Sequence, residues 1–279
     1  MKKNTLLILL ISIGLLFSKC HKADRDDDKE TQSSDDNMLA ENTFTDIFNQ
    51  IDHIANEEPD LNKNGNSNIH FLSTCPTFTI TPTLPDSSFP KTLTIDFGDS
   101  TNCLGTDGVN RRGKIVATFS GKYKNLGTVI SVYLSNYYVN DFHVEGTKNI
   151  TNMGFTNNGN PYFKVNVSNA KITSPTGKSI TWSSQRTKEW IAGDTSASLL
   201  DDVYLITGTA SGTGISGNTF NATITNALKV APTCRWIESG TIKLTPQNLT
   251  PRIIDFGNGD CDNKATVTIN GHSNDITMK

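Results

Sequence analysis

The sequence predicts an all-β fold: an antiparallel meander of about a dozen strands, sandwich-like or an open barrel, with an internal duplication and one N-terminal amphipathic helix. Three observations predict it. Apolar and polar residues alternate along most of the stretch from 77 to 278. The polar partners are largely Thr, Ser and Asn, and charged residues make up only 19% of the chain, which suits the wet faces of antiparallel sheets. One phrase also occurs twice, IDFGDSTNC at 95–103 and IDFGNGDC at 254–261, each time ending in cysteine.

The elements follow in order. Lys2 and Lys3 precede the apolar run Leu6–Phe17, which is shorter than the roughly 20 residues a membrane-spanning helix needs. A basic start and a short apolar core predict a signal peptide over 1–19. Cys20 follows at once, and the stretch 20–37 is acidic, polar and poor in large apolar groups, which predicts a disordered tether. Over 38–58, Leu39, Phe44, Ile47, Phe48, Ile51 and Ile54 recur at helical spacing, with Thr43 as N-cap and Pro59 after the end. His53 on this helix is expected at the surface.

From 69 to 279 the chain reads as β-rich. Cys75 and Cys103 bracket CPTFTITP, a loop and LTIDFGDSTNC. Cys234 and Cys261 bracket CRWIESGTIKLTP, a loop and RIIDFGNGDC at nearly the same spacing. KIVATFSG and KATVTING then follow. The repeated phrase therefore marks two related units, about 75–121 and 234–271. Four cysteines allow three pairings; the repeat selects Cys75–Cys103 and Cys234–Cys261, in the oxidising compartment that a signal peptide implies. Each turn also holds carboxylates, and Asp96, Asp99, Asp255 and Asp260 are calcium candidates. Asp and Gly are equally what a tight turn requires.

Between the units, Ile130, Val132, Leu134, Tyr138, Phe142 and Val144 share one face. So do Phe163, Val165 and Val167, and Phe220, Ala222 and Ile224. Ile130, Phe163 and Phe220 each stand six residues before an asparagine, at 136, 169 and 226. SPTGKS at 174–179 is a turn. The stretch ITWSSQRTKEWI differs, because Trp182, Ser184, Arg186, Lys188 and Trp190 share a face whose middle is polar. It reads as an edge strand guarded by charge, as a groove in which two Trp rings framing Arg186 and Lys188 bind a glycan or an acidic ligand, or as a strand whose tryptophans plug the core at its ends.

The chain carries a formal net charge of −3 with scattered basic residues, which argues against nucleic acid. It contains none of the common nucleophile-elbow, zinc-protease, phosphate-loop or dinucleotide motifs. Asp141, His143 and Glu145 on one strand are the nearest approach to an acid–base group.

Leu16-Phe17-Ser18-Lys19-Cys20 resembles the lipobox of bacterial lipoproteins, with Lys19 where a small residue is usual. With TFTDIFNQID, FPKTLTIDFG, NYYVNDFHVEGT, ITWSSQRTKEWIAG, DDVYLITGTASGT and the closing CRW…IDFGNGDCDNKATVTING, the chain resembles a group of uncharacterised Bacteroidota lipoproteins. The resemblance implies a covalent lipid on Cys20, no other cofactor, and anchoring at the outer membrane. The acidic run Asp24–Asp28 is similar to the surface-export signals of that group, which favours the cell surface over the periplasmic face. It brings no activity with it. The expectation is a non-catalytic structural or binding protein held on a membrane by its lipid, with a glycan or an envelope protein as candidate partner. The alternatives are a surface glycan binder using Trp182 and Trp190, and a secreted hydrolase.

Overall fold

The computed structural model describes residues 28–61, 75–196 and 198–278. The signal peptide, Cys20, and most of the acidic run lie outside the described residues. One helix, α1 (Gln32–Glu57), precedes all the strands. The first strands are β1 (Thr77–Thr81), β2 (Lys91–Asp96), β3 (Cys103–Leu104), β4 (Asn110–Phe119) and β5 (Val129–Val139). β6 (Phe142–Phe155), β7 (Pro161–Thr173), β8 (Ser179–Ala192), β9 (Val203–Thr213) and β10 (Thr219–Val230) form the long middle. β11 (Ser239–Pro246), β12 (Arg252–Asn258), β13 (Lys264–Ile269) and β14 (His272–Thr277) close the chain.

All fourteen strands form one antiparallel sheet, each paired with its neighbour in sequence except for the short β3, which pairs beside β4. β1 and β14 are the two edges and do not pair with each other, so the sheet is not a closed barrel. Nor does it split into the two sheets of a sandwich: α1 covers its inner face and supplies the second layer.

A single sheet this wide must curl to bury one face, and the sequence provides bulges that do so. Between β4 and β5 the register shifts at Gly113, whose φ is +83°; a Cβ there would lie 2.0 Å from the Asn136 carbonyl oxygen. Between β8 and β9, Gly208 (φ +124°) comes equally close to Gln185. Asn136 and Asn169 take left-handed backbone angles at such shifts, and the pairing also breaks at Asn226. The asparagines that recur in the sequence are thus the bulge residues. A single extra residue changes which face follows it, as in β5 and β7. After Asn136 it is Tyr137 that is buried, whereas Tyr138, expected on the inner face, stays outside beneath the Arg112 guanidinium.

The duplicated units show why the phrase recurs. Phe78 pairs with Ile95 and Ile80 with Leu93 in the first hairpin; Ile242 pairs with Ile254 and Leu244 with Arg252 in the second. Taken from the shared IDFG phrase, the two registers are the same. In each copy the aspartate Oδ1 accepts the backbone N–H of the following glycine at 2.9 Å, Asp96 from Gly98 and Asp255 from Gly257. Phe97 and Phe256 turn inward. The third strands differ by two positions, Ile95 facing Ile115 but Ile254 facing Val267, because the chain after Cys103 is longer than that after Cys261. Cys75–Cys103 and Cys234–Cys261 are both disulfides, each with Cα atoms 5.6 Å apart.

The helix departs from expectation at its start. It begins at Gln32, so residues 32–37 of the predicted tether are helical, and Thr43 is an interior residue whose hydroxyl donates to the Leu39 carbonyl. Its first turn is held by Glu30, which accepts the Ser33 N–H at 2.7 Å. Asp28 and Glu30 both pair with the fully buried Arg252. These polar residues do not solvate a linker; they complete buried partners on the sheet. His53, expected outside, is buried.

Ile47, Phe48, Ile51 and Ile54 supply the apolar stripe read from the sequence. Beside it runs a polar stripe that meets the inner wall residue by residue. Asn37 accepts the Trp182 indole N–H at 3.2 Å, Glu41 takes Arg186 at 3.0 and 2.5 Å, and Asn49 accepts from Lys188 at 3.0 Å. Breaking a buried charge pair by removing one partner costs about 3–5 kcal/mol, whereas replacing both with apolar groups is often neutral. Glu41→Met should therefore lower the unfolding free energy by about that amount, and the Glu41→Met/Arg186→Met double variant should recover most of it. Urea unfolding followed by circular dichroism decides between this and additive losses.

Candidate functional site

β8 is a central strand, flanked by β7 and β9 rather than by solvent. The edge-strand reading is therefore corrected. The proposed binding surface of Trp182, Arg186, Lys188 and Trp190 is corrected as well, since none is more than 6% exposed, the first three are bonded to α1, and Trp190 is packed on Tyr204. Trp182 stacks on Phe44 at 5.6 Å, and the Arg186 guanidinium lies 5.7 Å from the Trp182 ring. Lys188 sits between Phe48 and Tyr204, 3.5 and 4.0 Å from the ring centres. A sugar could reach these rings only by displacing the helix.

Beyond Lys188 the interface becomes a buried polar network. Asp52 accepts the hydroxyls of Tyr123 and Tyr204; Asp202 accepts the Trp190 indole N–H at 3.2 Å and lies 3.4 Å from the Tyr204 hydroxyl. Burial, with the neighbouring Asp52 charge, raises Asp202 to about 7. Burial also pulls Lys188 down to about 7, against the opposing pull of Asp52 and Asp202. Lys148 donates to the Phe44 carbonyl, and its burial, with the nearby Lys188 charge, holds it well below the ordinary lysine value. Shifted groups of this kind mark active sites in many proteins. Here they are sealed in the core and pin the second half of α1 to the wall.

The calcium candidates do not converge. Asp96 is held by Gly98 and by Lys114 at 2.7 Å, Asp255 caps its own turn, and Asp99 and Asp260 are exposed. Among the described residues no group of three or more side chains is placed to hold a metal ion. Asp141, His143 and Glu145 do not form an acid–base group either. His143 stacks on Tyr138, and its Nδ1 is 3.7 Å from Glu145, while Asp141 turns toward Arg112 at 3.9 Å.

The open feature is a cleft of about 860 Å³ on the far side of α1, where the two ends of the curled sheet approach each other. Leu39, Asp46 and Asn49 of the helix form its floor. One wall comes from the first duplicated unit, with Asp107, Val109 and Arg111; the other comes from the second, with the Cys234–Cys261 bridge, Arg235 and Trp236. The curl of the sheet and the two disulfides thus position both walls. Arg111 is clamped between two carboxylates, with Asp46 at 2.6 and 2.9 Å and Asp107 at 2.6 and 3.2 Å. Sequence reading missed this cleft, because its two walls lie more than a hundred residues apart in the chain and its floor comes from a third segment. The repeat was the only signal that the two walls are related.

Comparison with protein-family models, with curated proteins and with solved structures finds no match to this chain.

Lys188 makes a pH prediction. Its folded value near 7 lies below its ordinary 10.5, so between those limits the unfolded chain binds a proton that the folded chain does not. Stability should rise with pH across that window, by up to about 1.4 kcal/mol per unit for one such group. Asp202 has the opposite sign, its contribution being lost as pH rises through about 7, so the test belongs above that value. Between about pH 7.5 and 9.5 the urea midpoint of the native protein should climb, and that of Lys188→Met should climb less.

Proposed function

We propose that the chain is a lipid-anchored protein of the cell envelope, resembling Bacteroidota lipoproteins, with a non-catalytic binding role exercised through the cleft over α1. The observation that carries the binding role is the cleft itself. At about 860 Å³ it is within the range of small-molecule sites, and its walls are fixed by two disulfide-clasped units. The shifted Asp202, Lys148 and Lys188, which would suit catalysis, lie elsewhere, buried in the core. A glycan-binding role through Trp182 and Trp190 is not carried forward, because those rings are core.

The signal-like start and Cys20 support the anchor. Only residues 21–27 stand between Cys20 and Asp28, which is clamped to Arg252. A fully extended chain of that length reaches less than about 30 Å. The folded domain is then held close to the lipid surface, with the N-terminal end of α1 toward it. Mass spectrometry of the protein from its native membranes should find a mature N-terminus at Cys20 carrying acyl chains. A mature species cut elsewhere and bearing no lipid would refute the anchor.

A further inference from the structure

Among the described residues, the cleft carries one cation with no carboxylate bound to it. Arg235 lines the wall from the second unit, half-buried, with its guanidinium 4.3 Å from the ring of its neighbour Trp236. The other arginine of the cleft, Arg111, has four contacts to Asp46 and Asp107. Among the described residues Arg235 has no ion pair and no hydrogen bond to its side chain. Burial lowers its affinity for its proton, against the pull of Asp107 and Asp46. A partly desolvated guanidinium fixed over an aromatic ring keeps its planar fork of donors directed at whatever enters. The lining around it is mixed, with Leu39, Phe142, Trp236 and Met278 supplying apolar surface beside polar groups such as Asn42 and Asn49.

We infer that this cleft binds a small amphipathic anion, whose carboxylate, sulfonate or phosphate pairs with Arg235 while its apolar body lies against Trp236 and the aliphatic lining. The inference rests on the reading of the cleft as a binding site and adds the chemistry of the ligand. Hydrogen bonding selects the head group. Two carboxylates and two guanidiniums line the cleft, and because Arg111 takes the hydrogen bonds of both Asp46 and Asp107, the donors of Arg235 are left for an anion among the described residues. The apolar lining selects the body, since a bare inorganic anion would leave that surface wet. Paired guanidinium–oxyanion hydrogen bonds are among the strongest available to such a site. The apolar contact adds roughly 25 cal/mol for each Å² removed from water.

The test uses the full chain carrying Cys20→Ser, which removes the acylation site without touching the cleft, in detergent-free buffer. Octanoate, octyl phosphate and 1-octanol are titrated while tryptophan emission is followed. Of the three tryptophans, Trp182 and Trp190 are buried and Trp236 lines the cleft. The anions should bind and perturb the emission, and 1-octanol should bind at least tenfold more weakly. Arg235→Met should weaken the anions at least tenfold and leave 1-octanol unchanged. Arg235→Lys should fall between, and Lys243→Met, on the outer face of β11, should match the parent. Circular dichroism establishes that each variant is folded. The stronger of the two anions tells whether the natural head group is a carboxylate or a phosphate. Equal binding of octanol and octanoate, unaffected by Arg235→Met, would overturn the anion assignment while leaving the cleft as an apolar binding site. No response to any of the three ligands would overturn both.

Discussion

The buried Arg186–Glu41 pair sets the terms for the rest of the structure. An arginine in the middle of a sheet's inner face cannot stay there without an opposite charge. α1 supplies it through Glu41, which accepts from Nε and Nη2, while Nη1 has no partner among the described residues, and the same helix accepts from Trp182, Lys188, Tyr123 and Tyr204 along one line. The sheet therefore needs the helix to close its polar wall, and the helix, whose first third is polar, needs the sheet to be buried at all. This mutual requirement explains how one sheet of fourteen strands can remain open at its edges and still enclose a core.

Curvature and cleft follow from that arrangement. The bulge at Gly113–Asn136 and the one between β9 and β10 beside Gly208 bend the sheet around α1. Because the sheet wraps the helix without meeting its own far edge, a gap remains over the outer side of α1. The two disulfide-clasped units border that gap, and their loops form its walls. Duplication of a hairpin at both ends of a long meander thus gives the molecule two stiff lips.

Much of the fold was legible in the sequence, for identifiable reasons. Strict alternation at Phe163, Val165 and Val167, and at Phe220, Ala222 and Ile224, reports a half-buried strand whatever the topology. The repeat reports the pairing of the cysteines because two copies of one unit keep one connectivity. What misled was polarity. Ser33, Ser34, Asp36 and Asn37 look solvated and are buried, and the last two find their partners far along the chain, at the Ile215 backbone N–H and the Trp182 indole. Arg186 and Lys188 look like an exposed or ligand-binding face for the same reason. Tyr138 was placed inside because a bulge at Asn136 reverses the alternation, and a left-handed asparagine leaves no mark in a hydrophobic pattern. The cleft was not legible, since Asp46, Arg111 and Arg235 meet only through the curl of the sheet. The acidic helix stripe and the basic β8 face were both visible in the sequence, and reading them as complementary would have joined the two.

Hydrogen–deuterium exchange of the native protein tests the interdependence of helix and sheet most directly. If the wall and α1 complete each other, amides from Asn37 to Asn56 exchange only as fast as those of β7, β8 and β9, in one cooperative opening. Exchange of the helix on a much faster scale, with the central strands still protected, would show that the sheet encloses its core without α1 and would contradict the account.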